Sequence, residues 1–288
     1  MKPPYPLLFF SSLSILAFEI TLIRIFSIRF SYHYASLIIS ISMIGVVLGG
    51  VYTFVKGSLQ RDVLPSSGDP SVVKPCSPSI IQQVNTLVYS LCLSYPLIMI
   101  FSSLLPLDYY KMLWEDIQLL YLFLFILTLT VPFFLYGLMI SNLLLFYPRL
   151  TDRLYGSDLS GAACGVVMVI FLLDYVKIEF LIILFSAILL MPLLLTQRAS
   201  STLRHIHPSG NVHFFGGSRT LLIIIPVCLY LPIATNIFEL RISPYKNLMQ
   251  ALRDDEARHV QTIYSSHSRV DVFENPRMKF APGLSLTY

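Results

Sequence analysis

Long apolar stretches alternate with short polar ones from the start of the chain to about residue 239. A helix that crosses the hydrocarbon of a bilayer needs about 20 mostly apolar residues, and by that measure the chain holds about seven candidates. They cover Pro6–Phe30, Ala35–Val55, Val84–Leu105, Gln118–Tyr147, Leu154–Val176, Ile178–Leu195 and Thr220–Phe238. The polar stretch Lys56–Gln83, with Pro65, Gly68 and Pro70 at its centre, reads as an irregular loop. A shorter loop, Leu107–Ile117, carries Tyr109, Tyr110 and Trp114, aromatic side chains that suit a membrane interface. No polar turn divides Gln118–Tyr147, so one helix bent at Pro132 is expected there. Ser94, Tyr95 and Pro96 interrupt the third run, and Pro226 and Pro232 the seventh. Between the fifth and sixth runs Asp174–Glu179 leaves room only for a tight hairpin.

The fifth run predicts the centre of the bundle. Ser160, Gly161, Ala162, Ala163 and Gly165 carry almost no side-chain volume. Gly161 and Gly165 are four apart, share one helix face and admit another backbone. The second run has a similar face, with Gly45 and Gly49 four apart, and packing against the fifth helix is the expected use.

Composition agrees with this pattern. Of 288 residues 55% are hydrophobic and 12% charged. A soluble domain carries about 25% charge, so the chain reads as a polytopic membrane protein. Its basic residues lie mostly in loops and the tail, where they bear on topology and not on nucleic acid. Cys76, Cys92, Cys164 and Cys228 form no close pair and imply neither a zinc site nor a disulfide framework. His205, His207 and His213 share a basic loop and read as solvated. No catalytic triad, metal set or Gly-rich nucleotide-binding turn is legible.

Beyond Glu239 the pattern changes. Ser243-Pro244 resembles a helix start, and Leu248 and Leu252 give a short apolar stripe. Arg258–Tyr264 and Arg269–Phe273 alternate as strands, with Asn275-Pro276 as a turn. About 50 residues without staples rarely make a core. The expected fold is therefore an all-α multi-pass bundle over 1–239 with a short truncated α/β tail over 240–288, the tail opening a larger soluble domain.

Several stretches resemble the membrane-embedded spermidine-synthase-like proteins. They are Ser14–Gly50, Pro132–Ser141, Arg153–Asp174, Ser243–Leu252 and Ser268–Tyr288. The resemblance implies that the tail leads into a Rossmann-like domain of the aminopropyltransferase and methyltransferase type. The glycine-rich turn and substrate acids of such a domain are absent here, so no catalytic or cofactor residue is carried over. An S-adenosylmethionine derivative would belong to that domain and not to this chain. The implied role is a membrane anchor, with the bilayer and a soluble synthase-like domain or chain as partners.

Two other readings come from the residues. Glu19 and Arg24 lie in the first span, where ionisable groups are costly and mark function. With His33 and Asp158 they form a candidate intramembrane polar cluster, which would suit a small-molecule, polyamine-type permease. A structural subunit whose tail completes a partner by strand addition is the third reading. All three place the chain in the cell membrane. After an alkaline carbonate wash it is expected in the membrane pellet; recovery in the supernatant would contradict the span assignment.

Overall fold

The computed structural model describes residues 4–30, 33–62, 78–108, 111, 114–204, 256–264, 269–274 and 276. Six helices come first: α1 Tyr5–Arg29, α2 His33–Asp62, α3 Pro78–Leu104, α4 Ile117–Phe146, α5 Thr151–Leu172 and α6 Ile178–Arg204. A hairpin of β1, Arg258–Tyr264, and β2, Arg269–Glu274, follows. Among the described residues five helices are long and apolar enough to cross a membrane: Tyr5–Arg29, Ala35–Gly57, Gln83–Leu104, Ile117–Phe146 and Pro148–Leu172. The apolar part of α6, Phe180–Leu193, is shorter. The seventh run, the histidine loop, Ser243–Leu252 and Gly283–Tyr288 lie outside the described residues.

Local chemistry sets the joints. Proline sits in the first turn of α1, where its missing N–H breaks no helical bond. Pro148 disfavours helix at Tyr147, so α4 stops, one 3-10 turn covers Pro148–Leu150, and α5 starts at once. The joint before α4 is held by Gln118, whose Oε1 accepts the Asp108 N–H at 3.0 Å. Trp114 in that joint is 85% exposed, as an interfacial aromatic would be. As expected, α4 is one helix through Pro132, and α5 and α6 are joined by a short turn.

Other expectations are corrected. The stretch Lys56–Gln83 is helical at both ends, because α2 continues to Asp62 and α3 begins at Pro78. The middle of that stretch, 63–77, lies outside the described residues. The centre of the bundle is α1, not α5. Over the span windows 56% of α1 is buried against other helices, against 22% of α5. α1 packs on α5, α6, α2 and α4, and reaches α3 through Phe18, whose ring stacks on Tyr95 at 3.9 Å.

Glycine sets the two closest helix pairs. A Cβ on Gly161 would strike the Phe9 backbone of α1, and one on Gly165 would lie 2.5 Å from Leu13 O. The α2 glycines meet α4, not the fifth helix. A Cβ on Gly45 would lie 2.6 Å from Phe133 Cβ, and one on Gly49 2.5 Å from Phe134 O. Gly137 of α4 returns the contact against Val46. In both pairs residue numbers rise together, so α1 runs parallel to α5 and α2 parallel to α4.

The hairpin is antiparallel, pairing Thr262 with Asp271 and Ile263 with Val270, with a bulge between His259 and Gln261. One face carries a polar set, in which Thr262 donates to Asp271 at 2.6 Å and His259 Nε2 lies 3.3 Å from the same carboxylate. The other face shows Ile263, Val270 and Val272, 47%, 50% and 41% exposed.

Gly161→Leu is expected to lower stability by at least about 1–3 kcal/mol, because backbone cannot yield as a side chain does. Gly156, with nothing within 4 Å, is the matched site where leucine is tolerated. Thermal midpoints in detergent compare the two; equal midpoints would refute the α1–α5 contact.

Candidate functional site within the helix bundle

Burying α1 buries its hydroxyls, since Ser11, Ser12, Ser14 and Thr21 are all within 1% of fully covered. Inside hydrocarbon each polar group needs a protein partner. Thr21 donates back to Ala17 O at 2.8 Å and stays within its own helix. Ser12 and Ser14 reach other helices.

Ser12 Oγ lies 2.8 Å from Leu8 O and 2.7 Å from the Tyr136 hydroxyl of α4. Both hydroxyls also contact Asp158 Oδ1 of α5. One carboxyl group therefore ties three helices together. Next to it Ser157 Oγ donates to Tyr5 O at 2.8 Å, at the end where α1 and α5 both start.

Ser14 faces the other side of α1. It donates to Phe185 O of α6 at 2.8 Å and lies 3.2 Å from the Tyr95 hydroxyl. Below it, Ser186 Oγ donates to Cys92 O at 2.9 Å and touches Cys92 Sγ at 2.8 Å. The Cys92 carbonyl is the one that Pro96, four residues on, leaves without its helical N–H. Ser186 fills that gap, so α3 runs unbroken where an interruption is expected from the sequence.

Glu19 lies on the Ser12 stripe of α1, seven residues further on, which is about 10 Å along the axis. Its Oε1 accepts from Ser42 Oγ of α2 at 2.6 Å. The two carboxyl groups thus occupy separate levels, each joining α1 to other helices. Arg24 is half-buried, about 18 Å along α1 from Ser12 and toward the far end. His33 opens α2 beyond that end. The structure therefore spreads Glu19, Arg24, His33 and Asp158 over the length of α1 and does not gather them at one point. It supplies instead hydroxyl partners: Ser12 and Tyr136, which the sequence reading passed over, and Ser42, which it counted only in the small-residue face of the second run. Only Ser12 has an advance signal, its spacing, since Tyr5, Ser12 and Glu19 recur at seven residues.

Among the described residues no group of three or more histidine, cysteine or carboxylate side chains could hold a metal ion. Of the cysteines described, Cys92 is buried and Cys164 exposed.

Ser186→Ala is expected to cost about 0.6 kcal/mol and at most about 1.7 kcal/mol, the range of interhelical hydrogen bonds in membranes. In a Pro96→Ala background the cost should shrink, because the restored N–H takes the Cys92 carbonyl. A double-mutant cycle on unfolding in mixed micelles measures this; strict additivity would refute the link. Comparison of the chain with family models, with curated proteins and with solved structures finds no match.

Proposed function

We propose that this chain is the membrane anchor and orienting region for a soluble S-adenosylmethionine-dependent, spermidine-synthase-like transferase domain. The observation that carries the reading is the hairpin. A two-stranded sheet alone is marginal in water, and this one exposes Ile263, Val270 and Val272 on a single face. Such a face suits the entry to a larger sheet. The bundle supports the same reading. Two helix pairs in backbone contact through glycine make a stiff base. In this reading α6 and the apolar run at 220–238 are the sixth and seventh spans, and they lead the chain out to the hairpin. The chemistry of the partner domain would be aminopropyl or methyl transfer, with its S-adenosylmethionine derivative held there.

A small-molecule permease is the second reading. It draws on the carboxyl groups of Asp158 and Glu19 inside the bundle. The glycine contacts weigh against the large rocking motions that alternating access needs.

The test uses cells that express the chain together with its soluble synthase-like partner. Transferase activity is expected in the membrane fraction, and Ile263→Lys with Val270→Lys should move most of it to the soluble fraction while the bundle stays in the membrane. Activity that remains membrane-bound in that variant overturns the reading. Polyamine uptake by vesicles holding this chain alone would favour the permease.

A further inference from the structure

The directions of the helices sort the chain's charges between two ends. α1 runs parallel to α5, and α2 to α4, as their glycine contacts show. α3 runs with α1, because Ser14 and Phe18 meet Tyr95 while Arg29 meets Ser102 further along both helices. α1 and α2 form a hairpin, since Glu19 and Ser42 bond at nearly equal distances from the turn between Arg29 and His33. α5 and α6 form another. Gly165 faces Leu13 and Phe185 O accepts from Ser14, and the two residues are equally far from the α5–α6 turn. One end therefore gathers the starts of α1, α3 and α5 and the closes of α2, α4 and α6.

Cations gather at that end. Lys56 and Arg61 lie in the last two turns of α2, Arg149 in the turn after α4, and Arg153 in the first turn of α5. Arg198 and Arg204 lie in the last two turns of α6. Gly50 of α2 faces Ser141 of α4, and Lys56 and Arg149 follow six and eight residues on, so both leave the span near one level. Among the described residues the carboxylates at this end are Asp62 and Asp152, with Asp158 inside the bundle. Lys56, Arg149 and Arg153 are exposed, and none of them is ion-paired among the described residues.

The opposite end reverses the balance. It comprises the α1–α2 turn, the α3–α4 joint and the α5–α6 turn. Among the described residues its carboxylates are Asp108, Glu115, Asp116, Asp174 and Glu179, and its cations Arg29, Lys111 and Lys177. Arg24, half-buried, lies about 7 Å back along α1 from Arg29. Two of these cations are engaged within the chain. Lys111 pairs with Glu115 at 3.8 Å. Arg29 donates to Ser102 at 3.4 Å and lies 5.1 Å from the centre of the Phe30 ring.

We propose that the cationic end is the bundle's cytoplasmic face and rests on the anionic headgroups of the inner leaflet. Lysine and arginine close to a span end set the orientation of a membrane protein, and carboxylates count for little. Hydropathy alone gives a span no direction, so this asymmetry is what points the bundle. A lipid seat also suits the side chains. The stems of Lys56, Arg149 and Arg153 can lie along apolar span surface while their charged heads reach phosphate level. At the other end Trp114 and Tyr175, 85% and 87% exposed, suit the outer interface.

Cysteine labelling of the full chain in intact cells tests the orientation. Tyr175→Cys and Asp152→Cys place a thiol at an exposed position of each end, and the parent chain measures labelling of the native cysteines. A membrane-impermeant maleimide is expected to label Tyr175→Cys in intact cells and Asp152→Cys only after permeabilisation. The reverse pattern, or equal labelling of both in intact cells, overturns the proposal. The lipid seat is tested on the purified chain in nanodiscs of phosphatidylcholine with phosphatidylglycerol. Lys56→Gln, Arg149→Gln and Arg153→Gln together should weaken retention of phosphatidylglycerol by about fivefold per cation removed. Lys111→Gln with Lys177→Gln should leave it unchanged. No loss in the first variant, or an equal loss in both, overturns the seat on anionic lipid.

Discussion

Close approach of backbones is the constraint on which the bundle rests. Apolar side chains are as content in lipid as against one another, so helices in hydrocarbon associate through tight packing and interhelical hydrogen bonds. Glycine makes the tightest packing available. Gly161 and Gly165 bring α5 against Phe9 and Leu13 of α1, and Gly45, Gly49 and Gly137 do the same between α2 and α4. With α5 on one side and α6, α2 and α4 around the rest, α1 is enclosed.

Enclosure then dictates where the polar atoms go. The serines of α1 would be harmless on a lipid-facing helix that returned each hydroxyl to its own backbone. In the centre, two of them bind partners on neighbouring helices, and these bonds register the bundle laterally: Ser12 with α4 and α5, Ser14 with α3 and α6. The same need for a partner turns a helix-breaking residue into a tolerated one. Pro96 frees a carbonyl, and Ser186 of the adjoining helix takes it. At the Ser12 level one carboxyl group, that of Asp158, joins α1, α4 and α5.

Much of the architecture was legible in advance. The five long helices, the unbroken α4, the tight α5–α6 turn and both strands follow from hydropathy and alternation along single segments. The small-residue faces were legible as contacts but not as partnerships. Gly45 and Gly49 state that another backbone comes close, and nothing in their spacing names α4. The abundance of small residues in α5 suggested a central helix, yet small residues permit approach without requiring burial on all sides. The helix that is enclosed, α1, contains no glycine at all.

The amino-acid sequence by itself determined the five membrane-length helices found among the described residues, and that Glu19 and Asp158 fall within them. Both follow from local physics, because a backbone in hydrocarbon must bond within its own segment and a charge there stands out against its neighbours. Only the tertiary structure decided that α1 is central and that Asp158 meets Ser12 and Tyr136 while Glu19 meets Ser42. Those pairings depend on the order of helices around α1 and on their rotation, and no single helix carries that information in its own periodicity.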